Sequence, residues 1–98
     1  MSDIVLKAND CIKAKYLLKE ALQTEATRFK YSLELAKKRL IKFETKYNIS
    51  SEKFINEWAS EDMEGKDMEY IEWSGEFELA MRLKDRIATL ESIEYVTS

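Results

Sequence analysis

The sequence predicts an all-α protein: a long antiparallel helical hairpin, coiled-coil-like, with a short connecting helix, completed by dimerisation or by a partner. Three observations point there. The 98 residues include two Gly and no Pro, and 36% of them are charged; this composition suits long solvated helices and fits poorly with a turn-rich β fold. From Leu22 to Tyr47 the apolar residues Leu22, Ala26, Phe29, Leu33, Ala36, Leu40, Phe43 and Tyr47 step alternately by four and three, the a/d pattern of a coiled-coil seam. A second stripe, Trp73, Phe77, Ala80, Leu83, Ile87 and Leu90, has the same helical spacing.

The chain reads as a single helical domain, 1–98, because a chain of this length rarely carries two hydrophobic cores. Residues 1–8 form a tail outside the first helix, in which Ile4-Val5-Leu6 is too short a run to define a strand. A long helix is predicted over 9–47, with Asn9-Asp10 able to cap it and no Gly or Pro inside. Before Leu22 its seam register falls on Lys19 and Lys15 while the neighbours Tyr16, Leu17, Leu18, Cys11 and Ile12 are apolar, so the stripe drifts sideways. Asn48 to Glu52 reads as a turn and an N-cap, with Ser50 or Ser51 accepting backbone N–H groups and Glu52 favouring the positive helix end. A short helix over 51–60 follows, its apolar face made by Phe54, Ile55 and Trp58. The acidic stretch 61–69, which contains Gly65, reads as a loop, and a long helix is predicted over 67–93 with Ser74-Gly75 as a kink point. Two helices make only one buried seam, and the aromatics beyond it also need cover. A homodimer or a protein partner is therefore expected.

The net charge of −3 conceals a dipole. Residues 1–47 carry eleven Lys or Arg against six acids, a balance of +5, whereas residues 48–98 carry five against thirteen, a balance of −8. Such asymmetry implies halves that fold on each other or that face oppositely charged partners.

Several function classes lose their support. With no His, the chain lacks the usual near-neutral base and the commonest zinc ligand. No residue set brings a nucleophile and a base together, so no catalytic residue, no cofactor and no enzymatic activity are expected. The acids around Gly65 fail as a calcium loop: with Gly65 at the turn position, the first ligand position falls on Ser60 and the bidentate position on Ile71. The lone Cys11 cannot form an internal disulfide and suits a small apolar filler. A reducing, cytoplasmic setting is expected, with no membrane segment, since the longest charge-free stretch is Tyr47 to Ser51.

Two surfaces remain. Lys38, Arg39, Lys42 and Lys46 form a basic strip that offers a nucleic-acid face, or else pairs with acids of the last helix or of a dimer mate. Between Glu52 and Glu78 ten acids stand against Lys53 and Lys66, together with two Trp. Carboxylates that stand in for phosphates, with large apolar anchors among them, suit a basic phosphate-binding cleft on a partner. The candidate partner-binding residues are Trp58, Glu61, Asp62, Met63, Glu64, Met68, Glu69 and Trp73; the alternative is that both Trp residues pack in the core and the acids simply face solvent.

The run Lys46-Tyr47-Asn48-Ile49-Ser50-Ser51-Glu52-Lys53-Phe54, the acidic Gly-containing stretch after it, Trp73 and the leucine-spaced final helix resemble a group of small helical proteins from archaea and bacteria. Those are encoded beside a small TumE-type toxin and are taken as its antitoxin. The resemblance covers roughly residues 40–93. In that group the turn reads Tyr-Gly, an apolar residue, then Ser-Ser-Glu-Glu-Phe. Here Asn48 stands for the Gly, still compatible with a left-handed turn, and Lys53 stands for the second Glu, which weakens the capping box. The resemblance implies a toxin-neutralising partner protein with no activity of its own. The rival expectations are a structural coiled-coil homo-oligomer, joined through the seam Leu22, Ala26, Phe29, Leu33, Ala36, Leu40 and Phe43, and a nucleic-acid-binding regulator that uses the basic strip.

Overall fold

Asp10 starts the first helix by accepting the Lys13 N–H on its carboxylate at 3.1 Å, which satisfies one of the donors that a helix start leaves free. A computed structural model describes residues 2–63 and 65–95, apart from the side chains of Ser60 and Glu61. From this cap α1 runs Cys11–Tyr47 without interruption. It ends where Asn48 turns left-handed at φ 52°, ψ 46°, and the Asn48 and Ile49 N–H groups both return to the Glu44 carbonyl. Asn tolerates that conformation better than other non-glycine residues do.

α2 spans Ser51–Glu57 and is capped by the Ser50 hydroxyl, which accepts from the Lys53 N–H. It is shorter than the 51–60 expected from sequence, because Trp58 adopts an extended backbone at φ −102°, ψ 145°. The Asp62 carboxylate then takes the Ala59 N–H at 2.7 Å, and a single 3₁₀ turn, Ser60–Met63, occupies part of the segment read as loop. α3 spans Asp67–Glu91, with Asp67 and Glu69 in its first turn, where the helix dipole favours acids. It passes through Ser74 and Gly75 without a break.

The architecture is the all-α helical hairpin. α1 and α3 lie antiparallel with α2 and the 3₁₀ turn folded across one end, and no strand occurs among the described residues. A step of seven along α1 from Arg39 to Lys46 is matched by a step of seven back along α3 from Glu76 to Glu69, as their ion pairs record. Leu33, Ala36 and Leu40 from α1 face Trp73, Ala80, Leu83 and Ile87 from α3 in the buried seam, with Phe54 and Met63 closing its end. The seam residues assigned to an oligomer contact are therefore consumed inside the chain over most of their length. Leu33, Ala36 and Leu40 are buried, Phe29 and Phe43 pack against them, and Leu22 and Ala26 are half-buried.

The two long helices differ in length. At about 1.5 Å per residue α1 is about 55 Å long and α3 about 37 Å, and the molecule extends 61 × 26 × 18 Å with a radius of gyration of 19.2 Å. A compact chain of this size would show about 13 Å. In the register set by Arg39–Glu76 and Lys46–Glu69, the end of α3 at Glu91 falls level with Thr24, so about four turns of α1 continue with no helix opposite them among the described residues.

One polar relay holds the three helices together. The Trp73 indole N–H donates to the buried Ser51 hydroxyl at 2.8 Å, while the Ser51 backbone N–H donates to the Glu44 carboxylate, also at 2.8 Å. Ser51→Ala leaves a buried indole N–H without an acceptor and is expected to cost about 1–3 kcal/mol. In a Trp73→Phe background that penalty should largely vanish; a double-mutant cycle by urea denaturation measures the difference, and equal Ser51→Ala penalties in both backgrounds would contradict the relay.

Candidate functional site

The chemistry-bearing residues converge where α1 ends, α2 crosses and α3 begins. Phe43 and Tyr47 come from the last turns of α1, Phe54 and Trp58 from α2 and its C-cap, and Tyr70 and Trp73 from the first turns of α3. Trp73 lies almost parallel to Phe54, with ring centroids 3.7 Å apart, and also stacks near Phe43 and Tyr47 at 5.4 and 5.6 Å. Trp58 meets Tyr47 edge-on at 5.9 Å, and Tyr70 tilts against Phe54 at 5.3 Å. Sheltered aromatic pairs of this kind add about 0.5–1.5 kcal/mol each beyond the area they bury.

This packing redistributes the partner-binding candidates. Trp73 is 0% exposed and Met63 is buried, so neither reaches a partner's surface in this structure. Trp58 is half-buried against Phe54 and Tyr47. The sequence left both outcomes open because a Trp at the end of an apolar stripe has the same spacing whether it serves as core or as anchor. Asp62 is exposed but spends one oxygen on the Ala59 N–H. Met68 is 69% exposed. The Glu61 side chain and Glu64 lie outside the described residues.

Glu69 is tied inward. It accepts from the Lys46 ammonium at 2.5 Å and from the Tyr47 hydroxyl. Hydrogen bonding by Lys46, then by Tyr47, holds its carboxyl below the usual glutamate range. The same bond holds Lys46 above the ordinary lysine range, and donation to Glu69, followed by burial, holds the Tyr47 hydroxyl above the ordinary phenol range. Further along, Arg39 donates to Glu76 at 3.3 Å. Half of the basic strip is thus neutralised by α3, and Lys38 and Lys42 remain its exposed cations outside any ion pair among the described residues.

Two surfaces are left open. An open groove of about 520 Å³ runs between α1 and α3 over Phe43, Ile71 and Gly75, with Lys42 on one wall and Glu72 on the other. Ile71 is 61% exposed beside Met68, and Asp67, Glu72 and Glu78 are exposed on the same helix without an ion pair among the described residues. At the other end, the free turns of α1 expose Ile12, Tyr16 and Leu17. The sideways drift of the stripe before Leu22 was the sequence signal for that arm, and nothing in the sequence located the groove.

Comparison of the chain with protein-family models, with curated proteins and with solved structures gives no match. The class defined here is therefore structural: an all-α hairpin with an aromatic clamp at one end and a free helical arm at the other. Among the described residues, no helix is long and apolar enough to cross a membrane, and no three Cys, Asp or Glu side chains are grouped to hold a metal ion.

The Glu69 cluster sets a pH dependence whose sign follows from the shifts. A carboxyl lowered by folding contributes stability above its unfolded value and loses it as pH falls through the folded one. Lys46 and Tyr47, both raised, contribute below their unfolded values near pH 10 and lose that contribution as pH climbs through the folded ones. Wild type should therefore lose melting temperature more steeply than Glu69→Gln both in the carboxylate range and above about pH 10. Parallel melting curves for the two proteins across both ranges would refute the cluster's contribution.

Proposed function

We propose that the protein is a non-catalytic protein–protein interaction module of the cytoplasm, an antitoxin-type protein that neutralises a small basic toxin. The observation that supports this is the acidic face the fold leaves free. Glu69 and Glu76 are spent on α1, yet Asp67, Glu72 and Glu78 stay exposed on α3 with Met68 and Ile71 among them. Free carboxylates steer a basic partner and give association its salt dependence, while exposed Met and Ile side chains supply contact area. Of the apolar anchors expected from sequence, Met68 stays exposed and Trp73 and Met63 are buried, while Ile71 joins Met68 on the surface. The sequence resemblance to antitoxin-like proteins supports the identity of the partner, and the lone Cys11 is in keeping with a reducing compartment.

Charge reversal at Asp67, Glu72 and Glu78 to Lys should weaken binding to a TumE-type toxin by roughly tenfold or more at low salt, mainly through a slower on-rate. The difference should shrink as salt screens the face. Surface plasmon resonance over a salt series reads both effects, and an affinity indifferent to the three reversals at every salt concentration would exclude this face. Rescue of toxin-arrested growth by the wild type, and its loss in the triple variant, tests neutralisation itself.

A further inference from the structure

α1 outruns the helix it packs on, and its free turns are built as a contact surface. Ile12 and Tyr16, one turn apart, are 72% and 70% exposed, with Leu17 beside them. Between Lys7 and Lys19 four lysines stand against a single acid, Asp10. A solvated spacer helix would carry polar residues at those apolar positions. The arm is therefore both basic and apolar.

α3 carries the opposite character. From Asp67 to Glu78 there are five acids and no base. Ile71 opens onto the groove between α1 and α3, and at Gly75 an added Cβ would meet nothing within 4 Å. A third helix can approach the α3 backbone closely there, which two helices alone leave uncovered.

We infer that a second copy of this chain lays its α1 arm antiparallel into this groove, so that two copies exchange arms about a two-fold axis and each end of the dimer becomes a three-helix bundle. The lengths fit. Setting the arm's Ile12 to Leu17 against the groove residues Arg39 to Lys46 places the axis near Phe29, close to the middle of α1, so both arms dock by one operation. At one helical rise per residue, Lys15 is then level with the stretch from Glu72 to Glu76, and Lys13 and Lys19 lie within about a turn of it. The charges fit as well. Arg39 and Lys46 on the groove wall are already neutralised by Glu76 and Glu69; the third wall cation, Lys42, has no ion pair among the described residues and stands against two free acids, Glu72 and Glu78, which are left to meet the incoming lysines. The contact shares the acidic face of α3 with the toxin reading but needs only the chain itself, so the two are tested separately.

The test is sedimentation equilibrium on the full chain alone, with no basic partner present, at low and high salt. The wild type should form a dimer. Lys13→Glu/Lys15→Glu/Lys19→Glu in the arm, and separately Glu72→Lys/Glu78→Lys on the face, should each raise the dimer dissociation constant roughly tenfold or more. An equimolar mixture of the two variants should regain the dimer, because each reversed arm then meets a reversed face. Near-UV circular dichroism of the buried Trp73 confirms that each variant is folded. A wild type that stays monomeric at about 100 μM, a dimer insensitive to both sets of reversals, or two variants that fail to complement on mixing would each overturn the inference.

Discussion

Burying the flat indole of Trp73 against Phe54 forces its N–H into a place water does not reach, and the rest of the hairpin is arranged around meeting that demand. The acceptor is Ser51, the first residue of α2. Ser51 in turn is fixed by its own N–H to Glu44, one turn before the end of α1. An unmet buried donor costs about as much as a sizeable fraction of a small domain's stability, so the turn at Asn48, the cap at Ser50 and the start of α3 are not independent choices. Shifting any of them by one residue moves the hydroxyl or the indole out of reach.

That constraint also explains the uneven distribution of order. At the clamped end three elements contribute aromatic rings, and the chain buries Trp73, Phe54 and Met63 almost completely. Away from it the seam thins to Leu33, Ala36, Leu83 and Ile87, and beyond Glu91 no helix faces α1 among the described residues. A hairpin has one seam, so its stability is concentrated where a third element crosses it. The end lacking such an element leaves Ile12, Tyr16 and Leu17 exposed on α1.

The charge dipole of the sequence takes two forms in the fold. Part is satisfied internally, by the pairs Lys46–Glu69, Arg39–Glu76 and Lys30–Glu91, which match α1 to α3 in antiparallel register. Exposed ion pairs add little stability individually. The remainder stays at the surface as a basic arm and an acidic face. It supplies the long-range attraction on which both the toxin reading and the arm exchange draw.

The sequence alone determined the helices. The four-three spacing from Leu22 to Phe43, the absence of Pro, and Asp10, Asn48 and Ser50 at the boundaries act locally, through periodicity and capping, and are therefore legible one residue at a time. It also marked the arm, as a stripe that loses its register before Leu22. Only the tertiary structure decided what the large side chains do. Trp73 and Met63 became core and Met68 and Ile71 became surface, although all four lie in one acidic segment, because burial depends on which face of α3 meets α1 and on α2 folding across the end. Ser51 rather than Ser50 became the indole's acceptor for the same reason. Glu69 was drawn inward by Lys46 and Tyr47, while Glu72, less than one turn on, was left free. Spacing within a helix fixes which residues share a face; which face is covered is fixed by residues distant in the chain.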